Sequence, residues 1–481
     1  MQEFITIEIP DLLLLMPELI VLFTGFLIFT LDLAFRRVSH IVGISLSSAG
    51  YIASIMALLL IYGKRGETLY GLYVRDGLST TFQLLLVFLT LALLVFFYPY
   101  FKKRLSLYPE FYYILNFSLV GAMFLVSSYN LIVLYVALEA VSIGFYILTA
   151  LLRGDFQSKE GALKYLILGG LSIALASYGA GFMYLHSGSL DLRNVFLYGQ
   201  SDALILGLVF LMVGFAIKLG AVPFHFWLPD AYQGAPTPIT AFMASVGKVA
   251  FFVPILRMMP LIQGEILREW TLAIATVSAI TMIYANLVAL NQTDIKRLLA
   301  YSSIANTGYV LAGISTASKT GLKAAGFFLI AYAITSFVSF IVVALLERFN
   351  DFKTEIEAFL GLRNISPAYA SVLAISIISL LGVPPTVGFV AKALIFLSLA
   401  ESKLWLLATV MIVATGISAG YYLKLLSKMF MFEPKSSMNV KPSAFERLTL
   451  SIFGLLLVLL GILPIFLFEP VSKSVEAILS R

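Results

Sequence analysis

The chain has 481 residues, of which 60% are hydrophobic and only 12% carry a charge. A typical soluble domain is about 25% charged, so this chain has too few charges to cover a water-exposed surface, and a water-soluble protein is excluded. The formal net charge of +6 suits loops that face anionic lipid and does not indicate a nucleic-acid surface.

Long apolar runs fill most of the sequence and predict an all-α polytopic membrane protein. Each crossing takes about 20 apolar residues, whereas the strands of a membrane barrel would alternate apolar and polar side chains. In chain order, the runs predict fourteen helices, near 11–34, 40–62, 76–98, 109–127, 129–152, 160–185, 203–228, 233–258, 269–290, 294–315, 321–348, 366–400, 404–430 and 448–468.

The connections between these helices are short, so the whole chain is predicted to form a single transmembrane domain. An even number of spans puts both termini on one side of the membrane. The loops after odd-numbered helices hold about 16 Lys and Arg, against about 11 in the other loops and the termini. The positive-inside rule therefore places the first set in the cytoplasm and predicts that both termini lie outside.

Cysteine is absent, and the three histidines, His40, His186 and His225, lie far apart in the sequence. Disulfides, thiolate nucleophiles and cysteine-ligated zinc or iron–sulfur centres are therefore excluded. The sequence also lacks a phosphate-binding loop and a recognisable spacing of nucleophile and base. We predict no cofactor and no metal in this chain, so that any redox chemistry takes place in a partner.

A short motif recurs within two of the predicted helices. Leu219–Pro223 resembles Leu381–Pro385, which lies 162 residues later. Proline removes a backbone donor and clashes with the carbonyl four residues before it, so both helices should be broken in the middle. The clashing carbonyls are those of Leu219, for Pro223, and Leu380, for Pro384. Paired, proline-interrupted helices in corresponding positions indicate a transport site.

A few ionisable residues remain inside the predicted spans, where each costs about 2.5–3.5 kcal/mol. They are Glu139, Lys218, Lys248 and Lys392. A static set of ion pairs would balance the signs, but three lysines exceed one carboxylate. Desolvation favours release of a lysine proton and a nearby carboxylate favours its retention. The excess of lysine therefore predicts a proton relay, with static pairing as the alternative.

Other polar residues in the spans are open to two interpretations. Lys164 and His225 either take part in the relay or form static contacts, and Lys424 is expected to extend to the lipid headgroups. The cluster of Tyr301, Ser302 and Ser303 either joins helices or holds relay waters.

The residues in these motifs resemble the antiporter-like subunits of respiratory complex I. The resemblance is carried by Ile217–Ala231 with its continuation to Lys248, by Gln292–Ile304, by Gly382–Lys392 and by Glu139. Within that family the chain looks most like subunit N. It has the opening Leu15–Leu19, it has Lys392 where subunit M carries a glutamate, and it stops without the long lateral helix of subunit L.

The resemblance implies roles for individual residues. It implies that Glu139 and Lys218 form a coupling pair, that Lys248 is the central relay and that Lys392 is the terminal donor. The family usually has a histidine where this chain has Asn306, which cannot titrate. It further implies two inverted five-helix repeats, here 109–258 and 269–430, preceded by 11–108 and followed by 448–468.

The resemblance also implies the setting of the chain, a bacterial or archaeal cell membrane. FMN, iron–sulfur clusters and quinone would belong to other subunits, and subunit M and small membrane-arm subunits would be neighbours. The alternatives are a subunit of a multi-subunit sodium/proton antiporter, a subunit of a ferredoxin-, hydrogenase- or F420-linked relative, or a purely structural scaffold.

Overall fold

The computed structural model of the chain describes residues 11–35, 38–105, 109–349, 351, 353–434, 440 and 442–479. All fourteen predicted helices are present there, and two are split. They are α1 (Leu12–Phe35), α2 (His40–Leu60), α3 (Gly77–Phe96), α4 (Glu110–Leu125), α5 (Leu131–Thr149), α6 (Phe156–Ser187), α7a (Asp202–Leu219), α7b (Trp227–Gly234), α8 (Thr237–Leu261), α9 (Glu265–Ala289), α10 (Ile295–Ser315), α11 (Lys319–Glu347), α12a (Pro367–Leu381), α12b (Val387–Glu401), α13 (Trp405–Met431) and α14 (Ala444–Ile462).

The polytopic all-α fold predicted from the sequence is confirmed. Within the described residues, eleven helices are long and apolar enough to cross a membrane. Side chains fix where several of them begin: Asp76, Asn130 and Asp294 each accept a hydrogen bond from a backbone N–H in the first turn of α3, α5 and α10. Such caps satisfy donors that a helix leaves unpaired at its start.

The boundary predicted between the seventh and eighth helices is wrong. We expected a connection between 228 and 233, but α7b runs through it as Trp227–Gly234. Pro229 does not prevent this, because a proline in the first turn lacks an N–H that would have no partner within the helix. The chain turns instead at Ala235, whose extended backbone is the conformation favoured before a proline.

The sequence analysis did not predict a small β-hairpin or the last helix of the described residues. Strands β1 (Gly66–Thr68) and β2 (Tyr73–Arg75) form a small antiparallel hairpin between α2 and α3. A last helix, α15 (Ile465–Leu479), follows α14. Its Ser474 hydroxyl donates to the Gly77 carbonyl at 3.0 Å, so α15 is tied to the start of α3.

The centre of the molecule is formed by α8 and α11, which pack against each other. The most apolar stretch of each is completely buried, whereas only 28% of the corresponding stretch of α6 is buried. A helix that is apolar on all sides belongs inside a bundle, so the helix that carries Lys248 lies at the core.

A short antiparallel bridge recurs in the two halves of the chain. Asn130 pairs with Asp191 and Asp294 pairs with Glu355, and the corresponding partners are 164 residues apart. The first bridge joins the loops after α4 and α6, and the second joins those after α9 and α11. Because each crossing reverses the chain, these two pairs of loops lie on opposite sides of a membrane.

This recurrence supports two repeats of opposite orientation. We refer to α4–α8 as the first repeat and to α9–α13 as the second repeat. The division of the sequence into 11–108, 109–258, 269–430 and 448–468 stays a prediction.

Candidate functional site: buried lysines at two broken helices

The seventh helix is interrupted where the sequence predicted. Helix α7a ends at Leu219, and Gly220 follows with a left-handed φ of 66° that suits glycine. An uninterrupted helix would bond the Leu219 carbonyl to the N–H of the residue four positions on. That residue is Pro223, which has no N–H, so the carbonyl is free to accept another donor.

The twelfth helix is interrupted in the same way. Helix α12a ends at Leu381, and Gly382 follows with a φ of 87°. Pro385 lies four residues after Leu381, so the Leu381 carbonyl also lacks a helical partner. Leu219 and Leu381 are 162 residues apart, as are the two motifs.

Each freed carbonyl accepts a hydrogen bond from a buried lysine. The Lys248 ammonium donates to the Leu219 carbonyl, and the Lys392 ammonium donates to the Leu381 carbonyl at 2.8 Å. Lys248 also donates to the Thr307 hydroxyl at 2.7 Å, and Lys392 lies 4.6 Å from the centre of the Tyr309 ring. The C-terminal end of a helix carries partial negative charge, which stabilises a cation there.

Neutral groups hold these two ammonium groups. In the described part of the chain neither forms an ion pair with a carboxylate, although Lys248 is only 3% exposed and Lys392 only 8%. Their ligands are neutral carbonyls, a hydroxyl and an aromatic ring. A buried charge held only by neutral groups is expensive, so both sites can lose their proton without leaving a carboxylate unpaired.

Lys218 and Glu139 form the pair expected from the sequence, but the contact is loose. The Lys218 ammonium is 3.6 Å from Glu139 Oε1, and it donates to the hydroxyls of Ser142 and Tyr146, each at 2.8 Å. Lys218 is buried, whereas 23% of the Glu139 side chain is exposed. The ammonium therefore keeps its hydrogen bonds when the carboxylate moves away.

Helix α10 connects the two breaks. Thr307 contacts Lys248, while the adjacent Asn306 lines a cavity of about 10 Å³ that Lys392 also lines. A space of that size holds about one water molecule. Tyr332 also lines it, as do Thr335 and Ser379, whose hydroxyls are 3.2 Å apart.

The predicted hydroxyl cluster only partly faces this path. Ser302 hydrogen-bonds to Tyr422, and Asn306 donates to the Ser302 carbonyl at 2.8 Å. Tyr301 and Ser303 hydrogen-bond to no lysine in the described residues. On α10 it is Thr307 whose hydroxyl contacts a lysine, and the sequence analysis did not select it although it directly follows Asn306.

Lys164 lies apart from the other lysines. It is 44% exposed and pairs with Glu160 at 2.7 Å and with Asp230 at 2.6 Å. Asp230 also pairs with Arg297, so this cluster fastens α7b to α6 and α10. This is the paired arrangement that the sequence left open for Lys164.

His225 and Lys424 are placed differently. His225 is buried between the rings of Phe226 and Tyr284, and it hydrogen-bonds to no lysine in the described residues. Lys424 is exposed on α13, as expected for a lysine that extends outwards.

Three further sets of buried charges escaped the sequence analysis. Two of them are ion pairs, Glu18 with Arg75 and Asp76 with Arg257. In the third, Lys296 donates to the carbonyls of Gln233 and Ala235. Glu347 lies near Lys296 and accepts a hydrogen bond from the Thr237 hydroxyl. Most of these charges stand near the end of a helix, where a charge is expected to reach water. Glu18, Asp76 and Glu347 add three buried carboxylates to the one counted from the sequence.

No group of three or more His, Asp or Glu side chains in the described residues is arranged to hold a metal ion. The ammonium, carboxylate and hydroxyl groups around Lys218, Lys248 and Lys392 can exchange protons.

The family model described as "NADH:quinone oxidoreductase/Mrp antiporter, TM" matches residues 128–418. NADH-quinone oxidoreductase subunit N 2 of Aquifex aeolicus is 51% identical over 474 residues, which cover 98% of this chain and 97% of that protein. A chain of respiratory complex I from Thermus thermophilus matches with a TM-score of 0.83 and 31% identity, covering 95% of this chain and all (100%) of that one.

A chain of the membrane-bound sulfane sulfur reductase, an archaeal respiratory membrane complex, matches with a TM-score of 0.89 at 22% identity, covering 97% of each chain. This last likeness shows a shared fold alone. Together with the proline breaks and the buried lysines, the matches show that the chain belongs to the family of NADH-quinone oxidoreductase subunit N, within the antiporter-like membrane proteins.

Proposed function

We propose that the chain is a proton-translocating membrane subunit of NADH:quinone oxidoreductase. The observation that carries the proposal is that two helices, broken at corresponding positions, each present a free carbonyl to a buried lysine, which pairs with no carboxylate among the residues that the structure describes. Glu139 and Lys218 act as the coupling pair, Lys248 as the central relay and Lys392 as the terminal donor.

The coupling step follows from the loose contact at Lys218. Because Ser142 and Tyr146 hold the ammonium, a displacement of Glu139 changes the electrostatic free energy of Lys218 without breaking its hydrogen bonds. With the carboxylate near, Lys218 keeps its proton; with the carboxylate withdrawn, burial favours release. Moving one charge against 100 mV takes about 2.3 kcal/mol, which a change in one ion pair of this kind can supply.

The proton then passes through groups that can both donate and accept hydrogen bonds. The Thr307 hydroxyl contacts Lys248, and a water in the cavity between Asn306 and Lys392 would continue the path. Lys164 and His225 are secondary candidates for the relay. Lys164 is held by two carboxylates and His225 by aromatic rings, so both are better suited to static roles.

The driving reaction takes place elsewhere in the complex. We infer that FMN, iron–sulfur clusters and quinone are held by partner subunits, and that subunit M and small membrane-arm subunits are neighbours. We place the chain in the cell membrane of a bacterium or archaeon, with both termini outside. The name of the Aquifex relative supports this setting more than an antiporter or a ferredoxin-, hydrogenase- or F420-linked complex.

The test compares lysine-to-methionine changes in the assembled complex. Lys218→Met and Lys248→Met remove the charge but keep most of the side-chain volume, and Lys319→Met does the same at an exposed lysine at the start of α11. We expect the protons pumped per NADH oxidised by membrane vesicles to fall at least tenfold in the first two and to remain unchanged in the third.

Assembly is checked by the amount of the subunit that co-purifies with the complex. If an assembled Lys248→Met complex pumped normally, the lysines would be structural and the scaffold alternative would hold.

A further inference from the structure

A polar cavity of about 370 Å³ opens at one end of the second repeat. Its wall is formed by the loop after α9, by residues 355–357 and by one face of α13. The ionisable side chains that line it are Glu355, Glu357, Tyr421, Lys424 and Lys428, and the other polar ones are Asn291, Gln292 and Thr293. Two lysines and two glutamates give the wall no net charge, so the cavity suits water better than a cation or an anion.

The inner wall of this cavity leads towards Lys392. Tyr421 lines the cavity, is itself buried, and donates to Asn286 Oδ1 at 2.9 Å. Its ring packs against that of Tyr422 with the ring centres 4.2 Å apart. The hydroxyl of Tyr422 bonds to Ser302, which lies 3.4 Å from the Asn306 amide.

Asn306 shares its small cavity with Lys392. A row of hydroxyl and amide groups therefore runs from the polar cavity to the space beside the Lys392 ammonium. Hydroxyls both donate and accept hydrogen bonds, which is the property that proton transfer along such a row requires.

The equivalent end of the first repeat is closed. Arg257 is buried there, bonding to the Val126 carbonyl at 2.9 Å and to the two Asp76 oxygens at 2.8 Å each, with the Tyr129 ring 5.0 Å away. Ile262, which corresponds to Lys424 at the 162-residue spacing, is 2% exposed. The space at this end of the repeat is therefore filled by side chains in the first repeat and open in the second.

We propose that the cavity is a proton-uptake vestibule, and that the Tyr421 hydroxyl passes protons from its water towards Lys392. The inference rests on the proposed function, because it needs Lys392 to accept protons. The loops around the vestibule follow α9 and α11, so the predicted topology places its mouth in the cytoplasm.

The absence of cysteine from the chain allows a direct test of access. Lys424→Cys places a thiol in the vestibule, and Ile262→Cys places one at the closed end of the first repeat as the matched control. Membrane vesicles of either orientation are treated with a charged, membrane-impermeant methanethiosulfonate, and the modified subunit is identified by its mass.

We expect Lys424→Cys to be modified only when the cytoplasmic face is exposed, and Ile262→Cys to remain unmodified. The adduct should lower the protons pumped per NADH at least threefold in Lys424→Cys vesicles, while the reagent leaves the unaltered complex unaffected. Full pumping by the adduct, or modification from the other face alone, would overturn the vestibule.

Tyr421→Phe gives a second measurement that preserves the ring packing. We expect the assembled variant to pump about threefold to tenfold more slowly, because only the hydroxyl is lost. If Lys248→Met stops pumping while Tyr421→Phe and the Lys424→Cys adduct leave it normal, the vestibule proposal is wrong and the proposed lysine relay is retained. If Lys248→Met itself pumps normally, the proposed function fails, and this inference with it.

Discussion

Each repeat contains a broken helix whose free carbonyl accepts a hydrogen bond from a lysine, but the surroundings of the two breaks differ. In the first repeat, the lysine at the break lies beside a second lysine with its glutamate, and the neighbouring end is filled by Arg257 and Asp76. In the second repeat, Lys392 pairs with no carboxylate in the described part of the chain, and the neighbouring end is an open cavity. A broken helix therefore supplies only a carbonyl that holds a lysine, and the surrounding residues determine whether an acidic group stands nearby and whether the adjacent end is closed or open.

The largest effect, a loss of stability, is expected when the closed end of the first repeat loses its buried arginine. Arg257→Ala removes the cation that pairs with the buried Asp76 carboxylate, and breaking a buried ion pair in this way costs about 3–5 kcal/mol. Lys428→Ala at the open end removes an incompletely buried charge and should change stability by less than about 0.5 kcal/mol. Thermal unfolding of the purified complex in detergent measures both, and equal shifts in Tm would mean that the two ends do not differ in packing.

A smaller effect is expected when either break is repaired. Pro223→Ala and Pro385→Ala restore an N–H that competes with the lysine for the Leu219 or Leu381 carbonyl. A hydrogen bond to a charged group contributes about 1.5–3 kcal/mol, so we expect pumping to slow about tenfold.

Pro384→Ala is the matched control for the repaired breaks, because its restored N–H would face the Leu380 carbonyl, which holds no lysine. Its pumping rate should fall less than that of Pro385→Ala. An equal loss from both would show that the shape of the break matters and the freed carbonyl does not.

The smallest effect concerns the connection between the repeats. Asn306→Leu removes a polar wall of the cavity beside Lys392, and we expect the pumping rate to fall about threefold, in line with about 0.5–1.5 kcal/mol for a neutral hydrogen bond. Asn306→His, which restores the family residue, should keep the rate. The measurement is the initial rate of vesicle acidification, and a leucine variant as fast as the unaltered chain would remove Asn306 from the path.

The sequence was sufficient to predict the fourteen apolar helices, apart from one boundary, and the lysines within them, since apolar runs and isolated charges are local patterns. It also predicted both breaks, because proline acts on its own helix. It did not predict that the Leu219 and Leu381 carbonyls bind lysines, and it paired the second break with Leu380 through Pro384. A backbone carbonyl that accepts a hydrogen bond cannot be recognised from the residue types in the sequence. In addition, Lys248, the partner of the Leu219 carbonyl, lies on another helix.

The sequence also could not predict contacts between charged residues that lie far apart in the chain. Asp76 and Arg257 are 181 residues apart and each stands near a helix end, where charges usually reach water. The cavity at Lys424 depends on how three segments meet, which no single stretch of sequence encodes. The hairpin was missed because its strands have only three residues each.

The freed carbonyls have a consequence for how the sequence can vary. An acceptor that belongs to the main chain persists whatever side chain stands at its own position, so residues 219 and 381 can be exchanged among apolar types without loss of the lysine contact. The constraint falls instead on neighbours that shape the backbone. A Cβ at Gly382 would lie 2.8 Å from the Lys392 side chain. Mutational tolerance should therefore be high at the two acceptor positions and low at the glycine and proline beside each of them.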